Sequence, residues 1–356
     1  MVEWLAGNRI RGTSTERTST SGFNPISAVS GGWKELGRTT LGSTGDIINV
    51  TSIPDKRYYM VLMDEQGATL NALLYLGSGS ADTSQNYAKR TSLNGGTDAT
   101  TASAYQIFND GVGSNTGNFT AGYISNLSNK EKLGIFHTAH QNTAGAGTAP
   151  QRVEHVGKWT NTSNPIDYMR LHNYGGGDFS SGAELVVLGW DESDTHTDNF
   201  WEQIGTASGT GLTDITLDSS KKYNWLQAHF ITTSSSAIDL QLGNTSLDTG
   251  NNYSHRRSTN GGADATVTGD NGISFASGWT SSYRMFLNAF IINNSANEKL
   301  VIANIVYTLV GASNTPARYE IVGKWANTSS QFNHIGIVND ASSLIASSEA
   351  KVWGSD

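Results

Sequence analysis

The sequence predicts an all-β protein of two tandem homologous antiparallel β-sandwich, jelly-roll-like domains behind an N-terminal arm, and three observations carry that prediction. With 40 Gly, only 5 Pro, much Ser, Thr and Asn and 15% charged residues, the composition favours turns and strands over helices. The stretch "NYAKRTSLNGGTDAT" at 86–100 returns as "NYSHRRSTNGGADAT" at 252–266, with ten of fifteen positions identical. Short apolar runs of strand length alternate with polar turn clusters throughout.

The repeat extends well beyond that stretch. "WKELGRTTLGSTGD" (33–46) parallels "WEQIGTASGTGLTD" (201–214) at a shift of 168, "YISNLSNKEKL" (123–133) returns as "FIINNSANEKL" (290–300) at 167, and "VEHVGKWTNTS" (153–163) as "YEIVGKWANTS" (319–329) at 166. Preserved order and a nearly constant shift mean duplication of a domain-sized unit, not a solenoid of short repeats. At 356 residues the chain also exceeds what one ordinary core supports. The boundaries that follow are an arm over 1–30, a first sandwich over 31–191, a polar linker "ESDTHTDN" over 192–199 and a second sandwich over 200–356.

In the first copy the expected strands are "RYYMVLM" (57–63), "LNALLYLG" (70–77), "KLGIFHTA" (132–139), "DYMRLHN" (167–173) and "ELVVLGW" (184–190). In the second they are "KYNWLQAHFIT" (222–232), "IDLQLG" (238–243), "RMFLNAFIIN" (284–293), "KLVIANIVYTL" (299–309) and "HIGIVN" (334–339). Alternation in "DYMRLHN" and "IDLQLG" puts one face in a core and the other in water, as in sheets packed face to face. About eight such strands per copy suit a jelly roll.

A formal charge of -8 and a pI near 5.5 argue against a nucleic-acid partner. No apolar run reaches bilayer length, and the N-terminal residues lack the apolar centre of a signal peptide, so no membrane insertion is expected. The absence of Cys removes disulfides and thiolate metal sites.

The repeated "NGG" (Asn94–Gly96 and Asn260–Gly262) suits a tight turn, with Asp98 and Asp264 as side-chain caps. Tyr87 and Arg90, with Tyr253 and Arg256, are the candidate glycan or interface contacts, because an Arg beside a Tyr can recognise a carboxylate or a sugar. The alternative is an Arg paired with a nearby acid, such as Glu154 or Glu320. Trp159 and Trp325 either plug the sandwich or, exposed, form a glycan-stacking pair.

No catalytic constellation, cofactor site or metal site is expected. His137 and His140 resemble half a metal site but have no counterpart in the second copy, and Asp191, Glu192, Asp194 and Asp198 read as a solvated linker rather than a calcium site.

Taken together, "WLAGNRIRGTSTERT", "GWKELGRTTLGSTGD", "KRYYMVLM", "NYAKR...NGGTDAT" and "VGKWTNTS" resemble virion proteins of marine tailed phages and related environmental viruses, over nearly the whole chain. The resemblance implies a non-enzymatic structural protein of the virion exterior, a capsid-decorating component or a tail fibre or appendage. It would be made in the host cytoplasm and partnered by other virion proteins and by copies of itself, with a trimer as the expected oligomer. Trp4, Leu5 and Ile10 are the expected anchors of the arm on a neighbour. A carbohydrate-binding adhesin that attaches to host surface glycans is the alternative, and requires exposed aromatics at corresponding sites in both copies. A glycan hydrolase requires two convergent carboxylates in a groove.

Overall fold

The computed structural model of the protein describes residues 32–356 apart from 68, 111–116, 175, 233–236, 277–282 and 340–346, so Trp4, Leu5 and Ile10 lie outside the described residues. The first copy forms strands β1 (Lys34–Thr40), β2 (Ile47–Thr51), β3 (Tyr58–Gln66), β4 (Ala72–Ser78), β5 (Ser80–Ala81), β6 (Tyr87–Leu93), β7 (Ala99–Ala104), β8 (Phe108–Asn109), β9 (Gly117–Ser125), β10 (Lys132–His140), β11 (Gln151–Trp159), β12 (Tyr168–Asn173) and β13 (Glu184–Trp190), with its five apolar runs in β3, β4, β10, β12 and β13. The second forms β14 (Glu202–Ser208), β15 (Ile215–Thr216), β16 (Tyr223–Ile231), β17 (Ile238–Asn244), β18 (Ser246–Leu247), β19 (Tyr253–Thr259), β20 (Ala265–Asp270), β21 (Ile273–Ala276), β22 (Arg284–Ile292), β23 (Lys299–Thr308), β24 (Ala317–Trp325), β25 (His334–Asn339) and β26 (Glu349–Ser355), with its five apolar runs in β16, β17, β22, β23 and β25. A single 3-10 turn, Gly209–Thr213, is the helical content of the described residues.

Each unit pairs an eight-stranded antiparallel sheet with a five-stranded one. The large sheet of the first unit runs β1-β13-β3-β9-β10-β11-β6-β7 and the small one β2-β12-β4-β5, with β8 also on β4. Adding thirteen to every label reproduces the second unit: β14-β26-β16-β22-β23-β24-β19-β20 over β15-β25-β17-β18, with β21 on β17. Within each, the order 1-13-3-9 facing 2-12-4-8 is that of an eight-stranded jelly roll, in which the chain crosses between sheets so that first and last strands lie side by side. The remaining five strands are insertions that widen the large sheet and edge the small one.

Two cores follow from the strand alternation, although in "IDLQLG" the polar positions Asp239 and Gln241 are buried rather than in water. Val61, Leu74, Phe136, Trp159, Met169 and Leu185 fill the first sandwich, and Leu226, Leu240, Leu287, Trp325, Ile337 and Val352 the second. A third core joins the units: Met60, Leu62, Phe119, Ala121, Ala139, Val186 and Leu188, on the outer face of the first large sheet, are clustered with Phe200, Tyr223, Phe290, Ile292, Leu300, Ile302 and Val322 of the second unit. The large sheets therefore pack back to back, and the molecule is a stack of four β layers with three apolar interiors. At roughly 25 cal/mol per Å² of apolar surface, such a sheet-on-sheet seam makes the two units one body rather than beads on a tether.

The linker segment is held down as well. Lys56 pairs with Asp194, Arg57 with Glu192 at 2.8 Å and Lys34 with Asp198 at 2.9 Å, while Phe200 N donates to the Trp33 carbonyl at 2.7 Å. Glu192 and Asp198 stay solvated in these pairs, as a polar linker should, whereas Asp194 is shielded against Lys56 of the first unit and departs from that expectation.

Candidate functional site

The repeated residues build a structural element twice. Tyr87 OH accepts from Leu76 N at 3.2 Å and donates to Leu76 O at 2.8 Å, and Tyr253 OH does the same to Leu242 at 3.0 and 2.7 Å. Trp159 Nε1 donates to Asp82 Oδ2 at 2.8 Å and Trp325 Nε1 to Asp248 Oδ2 at 2.8 Å. The rings of Tyr87 and Trp159 stack at 6.3 Å and 18°, those of Tyr253 and Trp325 at 6.3 Å and 16°. All four rings are buried. Burial works to raise the Asp82 and Asp248 carboxyls, but the indole N–H and neighbouring donors overcome it, and both end below the usual carboxylate range.

The "NGG" turn is of the primed hairpin kind. Asn94 and Gly95 have φ of 53° and 68°, Asn260 and Gly261 of 53° and 74°, and Gly96 N and Gly262 N close the turns on Leu93 O and Thr259 O at 2.9 Å. Of the expected contact residues, Tyr87 and Tyr253 thus lie in the interior and offer no face to a sugar. Arg90 is exposed and pairs with Asp98 at 3.0 Å rather than with Glu154 or Glu320. Arg256 Nε donates to Pro150 O at 2.9 Å, a contact between the two units. The expectation that Asp98 and Asp264 cap the turns does not hold: Asp98 takes Arg90, and Asp264 belongs to the seam.

Charged groups lock that seam. Arg152, buried on β11, binds Asp264 at 2.8 Å and Glu320 at 3.3 Å in the second unit and Glu154 in its own. Burial acts to depress its guanidinium, but Asp264 and the two glutamates more than offset it, leaving it raised. Burial, then Glu154, raises the Glu320 carboxyl against the pull of Arg152. Lys222 reaches Asp64 and Glu184 at 3.0 Å each, and Tyr223 OH donates to Glu184 at 2.7 Å. Lys324 is buried and donates to the Gln141 carbonyl at 3.1 Å and to that of Thr143, while Gly145 N donates to Glu298.

The duplication exposes what the seam leaves over. Cross-strand pairing aligns Tyr123, Ile135 and Val156 in one row on the first unit and Phe290, Ile302 and Val322 in the corresponding row on the second, with Leu133 and Leu300 one step along. In the second unit these residues are covered: Leu300 is 2% exposed, Ile302 4%, Val322 1% and Phe290 5%. In the first they stand open: Leu133 55%, Ile135 52%, Val156 45% and Tyr123 37%. The open row borders a groove of about 360 Å³ with Trp33, Tyr58 and Trp190 in its walls. Tyr58 and Trp190 stack at 5.7 Å, and Trp33 tilts over Tyr123 at 6.1 Å. A contiguous exposed apolar row of this kind is uncommon on a monomer's surface.

This face was missed in the sequence, although a signal was present. "KLGIF" in β10 and "YIS" in β9 carry apolar residues at both parities, the pattern of a strand covered on both faces. The other candidates are accounted for by packing. His137 and His140 are shielded, and burial lowers both imidazoles, His140 to about 4. Glu65 and Asp110 share the interior, where burial and then Asp110 push the Glu65 carboxyl well up. No cluster of metal-ligating side chains occurs among the described residues.

No family model matches the chain, and no curated protein matches it. Among solved structures, the LG1-3 region of the laminin alpha2 chain aligns at 12% identity and a TM-score of 0.20, over 88% of this chain and 59% of that one. Domains LG4-5 of the mouse laminin alpha1 chain align at 8% identity and a TM-score of 0.17, over 90% of each. The chain thus spans about 59% of the length of the first of these.

Proposed function

We propose that the protein is a non-enzymatic structural component that acts by being built into a larger particle, as its sequence resemblance to virion proteins implies, on the particle exterior as a capsid decoration or a fibre or appendage part. The open row of Tyr123, Leu133, Ile135 and Val156 is the observation that carries the proposal. A chain that worked alone would gain by making these positions polar, whereas the same positions in its second unit are covered by protein. The fused four-layer body, cross-braced by Arg152 and Lys222, suits a load-bearing part.

Quantitative mass spectrometry of purified particles tests this: the chain is expected in fixed stoichiometry with the major particle protein, and its absence from particles overturns the assignment. Host-glycan adhesion is the second reading, favoured by the aromatic walls Trp33, Tyr58 and Trp190 of the groove. It no longer has the support of matched platforms, because the exposed Tyr123 corresponds to the covered Phe290. Glycan-array binding abolished by Trp190→Ala supports adhesion; an array without hits removes it.

A further inference from the structure

The seam joins two unlike faces. The face of the second unit built on Phe290, Ile302 and Val322, here the plug, sits on the face of the first unit built on Phe119, Ala121 and Ala139, here the socket. Because the units are homologous, each carries both faces. The chain therefore keeps one unused plug, on the first unit, and one unused socket, on the second. In the pairing register Phe119, Ala139 and Arg152 correspond to Phe286, Val306 and Arg318. These are open where their counterparts are buried: Phe286 is 43% exposed and Val306 42%.

We propose that the free plug of one chain docks into the free socket of another copy, repeating between molecules the joint that holds the two units together. The charges match as well as the apolar rows. In the seam Arg152 of the socket binds Asp264 of the plug side at 2.8 Å; between copies the corresponding partners are Arg318 and Asp98, both exposed. Lys324 and Glu298, which grip the socket's 141–145 loop, correspond to Lys158 and Glu131, which rest on each other at 2.9 Å beside the open row. The free plug is also continuous with the established seam, lying on the outer face of the same sheet.

The free socket is more polar than the filled one, with Gln227, Asn288 and Lys351 at the register positions of Leu62, Ala121 and Val186. The joint between copies is accordingly weaker than the internal one and depends on concentration. Being heterologous, it propagates into a ring or a filament rather than closing as a twofold dimer.

The inference deepens the proposed structural role but is tested without particles. Sedimentation velocity of the full chain over a range of concentrations is expected to show growth past the dimer. Ile135→Lys disables the plug and Phe286→Lys the socket, and each alone is expected to weaken association by roughly 100-fold. Mixing the two variants restores one good plug and one good socket and yields dimers that grow no further. Circular dichroism and a melting curve show that each variant stays folded. Wild-type chain that remains monomeric overturns the proposal. So does a dimer that Phe286→Lys leaves intact, since that is plug against plug. If deletion of residues 1–31 is what makes the chain associate, the plug is covered by its own N-terminal segment and the proposal fails. Absence of the chain from virions removes the particle assignment and leaves this joint standing.

Discussion

Replacing Arg152 by Met removes the buried cation that bridges Asp264, Glu154 and Glu320 at the seam while keeping most of the side-chain volume. The Arg152 and Asp264 side chains are 5% and 1% exposed, so the Asp264 carboxylate left behind cannot be rehydrated without opening the two units. Breaking a buried pair on one side costs about 3–5 kcal/mol. For a unit of this size that is a fall in melting temperature of roughly 6–20 °C. Arg318 supplies the control, for it occupies the same register position in the second unit with a side chain 61% exposed. Arg318→Met is expected to change stability by no more than about 0.5 kcal/mol.

The Arg152→Met penalty also depends on pH in a fixed direction. Glu320 already has a raised carboxyl, and without Arg152 it rises further, so the folded variant holds more protons than its unfolded chain and acidification favours it. The difference between wild type and variant should shrink from pH 7 to pH 5 in urea titrations. A loss under about 1 kcal/mol, an equal loss for Arg318→Met, or a penalty that grows on acidification would refute the reasoning.

Trp159→Ala and Trp325→Ala should each cost about 3–5 kcal/mol, and Asp82→Ala and Asp248→Ala about 1–3 kcal/mol through the indole N–H left unpaired. Urea titration checks all four, and a harmless change in one unit beside a severe one at the matching site of the other contradicts a duplicated core. His155 and His255 are buried, and burial above all lowers their imidazoles to about 4 and about 3. Their neutral forms contribute stability in full above the unfolded value of about 6.5, and it is lost as pH falls toward the folded values. The urea midpoint should therefore drop from pH 7 to pH 4 less steeply in a His155→Gln, His255→Gln double variant than in wild type, and equal slopes count against the idea.

The duplication, the β class and the strand positions were legible because they are local and periodic. "ELVVLGW" and "HIGIVN" coincide with β13 and β25, and "NGG" specified its turn through backbone sterics alone. Burial of Trp159 and Trp325 could be read from a Trp at matching places in both copies. The seam could not. Arg152 meets Asp264 across 112 residues, and no pattern in sequence distance announces that pair. Tyr87 and Arg90 looked like a recognition pair because proximity in sequence says nothing of which sheet face each occupies. Neighbouring strand residues point to opposite sides, which buries the Tyr and exposes the Arg.

Thiol labelling can test the back-to-back seam directly, since the native chain carries no Cys. Ile302 and Val306 lie four residues apart on the same strand and the same face, one 4% exposed under the first unit and the other 42% exposed beyond its edge. Single Ile302→Cys and Val306→Cys variants, treated with a thiol reagent under native conditions at a concentration where the chain is monomeric, should react at very different rates. The account predicts protection at 302 comparable to that of a Leu287→Cys control inside the second sandwich, with rapid reaction at 306. Equal, fast labelling at 302 and 306 would mean that the large sheets do not meet, and would contradict it.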